Sequence, residues 1–146
     1  MTAGRQIAAE QGPIGYALAE VTRAHRAEMQ RRMAELGLHL GQELLIVDLH
    51  HNPGTTQADL VQRMGIEQPT VAKAITRMER AGFVERAADP GDRRVTRLRL
   101  TGRGEAVVGA VVAAWAQVES RASAGLGDAD AARLIRLLHT VRDNLT

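Results

Sequence analysis

Residues 56–101 read TQADLVQRMGIEQPTVAKAITRMERAGFVERAADPGDRRVTRLRLT, and this stretch decides the fold of the 146-residue chain. Thr56, followed three residues later by Asp59, has the pattern of a capping box. The hydroxyl and the carboxylate can each accept a backbone N–H at the start of a helix. The pattern predicts a short helix over 57–64 that stops at Gly65.

A second helix is predicted directly after this turn, with Pro69 at its first position, where the missing N–H costs nothing. We expect it to run to Arg80 and to stop at Gly82. On a helical wheel, one face carries the apolar residues Val71, Ala74, Ile75 and Met78. A separate face carries Thr70, Lys73, Arg77 and Arg80. The first face predicts packing on the core, and the second predicts an exposed face rich in hydrogen-bond donors.

A β-hairpin is predicted next, because residues 83–86 and 95–100 are rich in β-formers and flank a turn sequence at 89–92, Asp-Pro-Gly-Asp. Helix, glycine turn, helix and hairpin follow one another in the order of a winged helix-turn-helix. In that fold the hairpin is the wing, and its tip here carries Arg93 and Arg94.

Helices are predicted on both sides of this unit. The region before it should become ordered at Gly12-Pro13, with helices over 14–36 and 40–49. After it, helices are expected over 103–123 and 128–144, the last one capped by Asp128. The sequence therefore predicts a single, mainly α domain with one small hairpin.

Composition excludes several classes of protein. The chain has no cysteine, so disulfides, thiolate metal sites and cysteine nucleophiles are excluded. The sequence shows no signal pattern at residues 1–11 and no apolar run long enough for a membrane span, so we expect a cytoplasmic protein with no membrane partner. With one Trp, one Tyr and one Phe, the core must be aliphatic.

Basic charge is concentrated in the same stretch that decides the fold. Between Arg63 and Arg103, ten basic residues face five acidic ones, a net of +5, whereas the whole chain carries only +2. Clustered basic charge is typical of proteins that bind the phosphate backbone of nucleic acids. Exposed helices and hairpin tips often carry charge, so the prediction depends on two basic elements lying side by side.

The chain resembles the MarR family of bacterial winged helix-turn-helix regulators. The resemblance rests on 56–60 (TQADL), on 69–71 (PTV) with 76–84 (TRMERAGFV), and on the wing signature at 89–94 (DPGDRR) leading to Leu100-Thr101. It implies binding to double-stranded DNA through a recognition helix and a wing. The predicted DNA-binding residues are Gln68, Pro69, Thr70, Lys73, Thr76, Arg77, Arg80, Arg93 and Arg94. Gln68 and Thr70 are expected at base edges and Arg94 in a minor groove, while Lys73 and Arg77 suit either guanine or phosphate.

The resemblance also implies a homodimer. About 12–36 and 103–146 would be dimerisation helices around a DNA-binding lobe at about 40–101. Two apolar stripes suit this role, although such stripes can also pack within their own protomer. They are Val107, Val108, Val111, Val112 and Trp115 on one helix, and Leu134, Leu137, Leu138, Val141 and Leu145 on the next.

Family members commonly bind small phenolic or aromatic acids between these regions, and the candidate effector-binding residues here are Tyr16, His25, His39 and Trp115. Each also has a structural interpretation, which the residue types favour: Tyr16 as a core residue, Trp115 as a core or interface residue, and His25 and His39 as surface or cap residues. No cofactor is predicted. Adjacent histidines on one helix point apart, so His50 and His51 predict no metal site, and their position suits a helix C-terminus instead. The sequence has no Walker-type phosphate loop and no nucleophile elbow, so we expect no enzyme.

The predicted function is a sequence-specific transcriptional regulator, a repressor that binds an inverted-repeat operator as a dimer and is released by a ligand. The alternative is a ligand-insensitive architectural DNA-binding protein with weak sequence preference. A third reading is a helical protein-interaction module with no role at DNA. The ratio of specific to nonspecific affinity at one salt concentration distinguishes the first two.

Overall fold

The computed structural model describes all 146 residues and contains seven helices and one two-stranded sheet. In chain order the elements are α1 (Ala3–Gln11), α2 (Pro13–Glu35), α3 (Gln42–His51), α4 (Gln57–Met64), α5 (Gln68–Arg80), β1 (Val84–Ala88), β2 (Thr96–Leu100), α6 (Gly102–Ala122) and α7 (Asp128–Leu145). The mainly α fold with a single hairpin, predicted from the sequence, is confirmed. None of the helices combines the length and the apolar character that crossing a membrane requires.

Helix α4 begins with the predicted capping box. The Thr56 hydroxyl accepts the backbone N–H of Asp59 at 3.1 Å, and the Asp59 carboxylate accepts the backbone N–H of Thr56 at 3.1 Å. These bonds lower the pKa of Asp59, the Thr56 side chain being the largest cause. Gly65 ends the helix in the left-handed conformation, with φ of 61°. This turn sets the angle at which α5 leaves α4.

The two strands pair antiparallel, from Val84 opposite Leu100 to Ala88 opposite Thr96. We call residues 84–100 the wing. An isolated bridge from Thr55 to Leu98 joins the wing to the segment before α4. The hairpin is therefore tied to this segment through the middle of β2, where Leu98 lies opposite Arg86.

A single hydrophobic core lies between α2, α3, α4, α5, α6 and the base of the wing. It contains 17 buried residues, among them Ile46, Leu60, Ile75, Phe83 and Leu98. Neither α1 nor α7 contributes a buried residue. Of the two apolar stripes, the α6 stripe is split, because Val111 is buried in the core of its own protomer while Val112 is 48% exposed.

A cluster of charges joins α2 to α6. The Glu28 carboxylate lies 2.8 Å from the guanidinium groups of Arg31 and Arg32 on its own helix and 2.7 Å from that of Arg121 on α6. Hydrogen bonds from Arg31 and then Arg32 lower the pKa of Glu28 to about 2. This carboxylate therefore stays ionised well below neutral pH.

Four local predictions were wrong. Order does not begin at Gly12-Pro13, because α1 precedes it and packs on α2. The second predicted helix, 40–49, lies two residues later and includes both histidines, with Asn52 as its C-cap. Asp128 does not cap α7, because the N-cap is Gly127 and Asp128 is the first helical residue. Pro69 is the second rather than the first residue of α5.

Candidate nucleic-acid interface

Helix α5 separates an apolar face from a polar one, as its sequence predicts. Val71, Ile75 and Met78 are buried in the core. All seven residues predicted to contact DNA from this helix are exposed on its surface, namely Gln68, Pro69, Thr70, Lys73, Thr76, Arg77 and Arg80. One face of α5 therefore packs on the core, and the opposite face is free to enter the major groove of a nucleic acid.

Some cations of this surface already form a salt bridge with a carboxylate, and others do not. Lys73, Arg77 and Arg80 form no salt bridge within the protomer, and neither does Arg93 at the wing tip. These four exposed groups can bind an anion without first giving up a carboxylate. They are the natural candidates for phosphate contacts.

The wing tip is ordered by two aspartates. The Asp89 carboxylate accepts the backbone N–H groups of Gly91 and Asp92 and forms an ion pair with Arg97 at 2.7 Å. Asp92 binds the Arg94 guanidinium at 3.1 Å. The pKa values of both aspartates are lowered, through Arg97 for Asp89 and through Arg94 for Asp92. Arg94 remains 91% exposed in side chain, so the tip presents it in a defined position.

The C-terminus of α5 is joined to the N-terminus of α6. Thr101 donates its hydroxyl hydrogen to the Gly82 carbonyl at 2.5 Å, and Arg103 donates to the Ala81 carbonyl at 2.6 Å. The Arg103 guanidinium also lies over the Phe83 ring, 4.5 Å from its centroid. Gly104 is buried, and a Cβ there would lie 2.2 Å from the Phe83 carbonyl oxygen. The turn at residues 81–83, which follows α5, therefore packs closely against the start of α6, and we call this contact the α5–α6 joint.

The four candidate effector residues do not form one site. His25 and Trp115 line a cavity of about 550 Å³ between α2, α3 and α6, together with Arg26 and the buried Glu43. His39 lines a neighbouring cavity of about 410 Å³ beside α5, which also contains Lys73 and Arg77. Tyr16 lines neither of these cavities, and its hydroxyl lies 3.6 Å from the sulfur of Met1.

The two adjacent histidines at the end of α3 have different surroundings. The His50 ring nitrogen Nδ1 lies 2.6 Å from the Glu105 carboxylate on α6, and the His51 ring meets the His50 ring edge-on. Asp48, two residues before His50, is bound by Arg63 of α4 at 2.6 Å. No three His, Cys, Asp or Glu side chains are grouped so that they could hold a metal ion.

Sequence reasoning missed two residues of this surface. Arg86 on β1 reaches back to α5, where it binds Glu79 at 2.6 Å, and Arg103 closes the joint between α5 and α6. The basic character of both was visible in the sequence. Their partners lie 7 and 22 residues away, so only the folded arrangement of helix, wing and α6 identifies them.

Comparisons with known proteins agree with this architecture. The family model described as the MarR family matches residues 38–96. The transcriptional regulator SlyA is 27% identical, with a TM-score of 0.75 over 90% of this chain and 93% of that one. BpsR of Bordetella bronchiseptica, described as regulated in DNA binding by 6-hydroxynicotinic acid, is 26% identical, with a TM-score of 0.75 over 89% and 93%. A mutant MarR from E. coli, solved with operator DNA, is 20% identical and shares the fold, with a TM-score of 0.77 over 92% and 96%.

Proposed function

We propose that the chain is a member of the MarR family, whose model matches residues 38–96, and that it is a sequence-specific, double-stranded DNA-binding transcriptional regulator. The carrying observation is the exposed face of α5, whose three cations have no carboxylate partner and lie beside a wing with an ordered basic tip. A helix of this kind fits the major groove, and a wing can reach the adjacent minor groove.

We propose further that the active form is a homodimer. Helix α7 contributes no buried residue to its own protomer, and four of its large apolar residues are 41–53% exposed, namely Leu134, Ile135, Leu137 and Leu138. Ile14 and Val21 of α2 are similarly exposed, at 64% and 67%. A second copy would cover these faces, and its two-fold axis would place two α5 helices about 34–36 Å apart on an inverted repeat.

We also propose that a small acid releases the protein from DNA. The two cavities are of ordinary ligand-binding size, they adjoin at Leu40 and Gly41, and each contains a guanidinium group that suits a carboxylate. The description of BpsR supports a hydroxylated aromatic acid as the chemical class. A ligand beside Lys73 and Arg77 would compete for cations that DNA needs, which favours repression lifted by the ligand.

A mobility shift tests the central claim. Purified protein is titrated onto its own upstream intergenic DNA and onto unrelated DNA of equal length at the same salt concentration. We expect saturable binding to the upstream fragment alone. Equal binding to both calls for selection from random DNA: an enriched inverted repeat supports the regulator, and no enriched sequence supports the architectural protein.

Trp115 offers a direct test of the ligand step, because it is the only tryptophan and lines the larger cavity. Hydroxylated aromatic acids are titrated while Trp115 fluorescence and DNA binding are followed together. We expect at least one acid to quench the fluorescence and to release the DNA over the same concentration range. A panel that changes neither signal contradicts the ligand step and leaves the DNA-binding result untouched.

A further inference from the structure

Glu79 is the only acidic residue in α5, the helix proposed to enter the DNA groove. It lies three residues after Thr76 and next to Arg80, on the flank of the exposed face, and its side chain is 46% exposed. A carboxylate at this place would face incoming phosphates with the same sign of charge. Such a residue opposes DNA binding unless its charge is balanced by a neighbour.

The wing supplies the balancing charge. Arg86 extends from β1 to α5, where its Nε lies 2.6 Å from Glu79 Oε2 and its Nη2 lies 3.5 Å from the Thr76 hydroxyl oxygen. Glu79 forms no ion pair with the cations of its own helix, so Arg86 is its only charged partner. The pair also ties the C-terminal end of α5 to the first strand of the wing.

We infer that Arg86 is a positioning residue for DNA binding, which neutralises Glu79 and holds its carboxylate toward the wing and away from the phosphates. This inference rests on the proposed DNA-binding function. A positioning residue differs from a phosphate contact in one testable way. If Arg86 acts through Glu79, it has no effect on DNA binding once the Glu79 charge is removed, whereas a direct phosphate contact would still contribute.

A double-mutant cycle separates these roles. The dissociation constant for operator DNA is measured for wild type, Arg86→Ala, Glu79→Gln and the double variant, and a thermal melt of each confirms that the protein is folded. We expect Arg86→Ala to weaken binding about three- to fivefold per recognition helix, the range for exposed charges, and by about the square of that for a dimer at both half-sites. The double variant should regain wild-type affinity to within about twofold.

Glu85→Gln is the matched control. It removes the same charge from the residue next to Arg86, on the opposite face of the strand, and Glu85 forms no ion pair. The double variant Glu85→Gln with Arg86→Ala should therefore bind DNA as weakly as Arg86→Ala alone. Arg86→Lys, which keeps the charge, should lie close to wild type.

Two outcomes overturn the inference. If the double variant stays as weak as Arg86→Ala, Arg86 contacts DNA itself. If Arg86→Ala lowers the melting temperature but binds DNA with wild-type affinity, the pair is only structural. Failure of the wild-type protein to bind DNA would instead contradict the proposed function, so the two failures are distinguishable.

Discussion

Replacing Gly104 with alanine tests the joint between α5 and α6. Gly104 is the third residue of α6 and has ordinary helical geometry. Helix propensity alone predicts that alanine stabilises such a position by about 1 kcal/mol. The structure predicts the opposite sign, because the new Cβ would lie 2.2 Å from the Phe83 carbonyl oxygen and 3.1 Å from the Cβ of Leu100.

The expected loss of stability follows from the backbone that the new Cβ must displace. The contact with the Phe83 oxygen must open from 2.2 Å to at least 3.0 Å, and neither partner is a flexible side chain. Overpacking of this kind costs about 1–3 kcal/mol. Displacing α6 also strains the hydrogen bonds of Thr101 and Arg103, each worth about 1 kcal/mol. After the propensity gain, we expect a net loss of about 2–4 kcal/mol, or about 10 °C in melting temperature.

The assay is equilibrium denaturation in urea at one fixed protomer concentration, because the stability of a dimer depends on concentration. Gly102→Ala is the matched control. It lies two residues earlier in the same helix, and its Cβ would meet nothing within 4 Å, so it should leave stability unchanged or raise it by up to about 1 kcal/mol. If the Gly104→Ala variant is as stable as the Gly102→Ala variant, the close packing of α6 against the turn after α5 is refuted.

Four further predictions concern other parts of the structure. Because folding lowers the pKa of Glu28 from an ordinary 4.5 to about 2, its contribution to stability is complete above pH 4.5 and lost as the pH falls toward 2. The urea midpoint of wild type should therefore drop more steeply across that window than the midpoint of Glu28→Gln. Leu137→Glu should convert the dimer to monomers in sedimentation at micromolar concentration, and a variant that stays dimeric would exclude this face of α7 from the interface. Arg94→Ala should weaken binding to all DNA sequences and lower the salt slope by about one per protomer, or about two for a dimer bound at both half-sites. Thr70→Ala should instead change sequence preference by about 1–3 kcal/mol at one position, as measured by competition with single-base operator variants.

The parts of the fold that could be predicted are those that depend on short sequence patterns. The capping box at Thr56 and Asp59, the glycine at 65 and the two faces of α5 depend on residues within one or two helical turns. The structure places each of these as the sequence predicts. The exposure of the predicted DNA-binding residues follows from the same periodicity, and their contacts with DNA remain predictions.

Helix α1 escaped prediction for a physical reason. Residues 3–11 carry a single large apolar side chain, Ile7, which is 59% exposed, so no hydrophobic periodicity marks the helix. Its alanines and glutamines favour the helical state, but propensity alone is a weak signal over nine residues. The α5–α6 joint and the Arg86–Glu79 pair were hidden for another reason, since they join residues that approach one another only after the wing folds back.

The unburied apolar face of α7 has a consequence in genetics. In the proposed dimer, protomers exchange when two alleles are expressed in one cell. A chain with Arg77→Ala and an intact α7 would pair with wild-type chains, and the mixed dimers would hold only half of an inverted repeat. At equal expression only a minority of dimers would carry two intact recognition helices, so the defective allele would be dominant. Adding Leu137→Glu to the same allele would remove its product from mixed dimers and make it recessive.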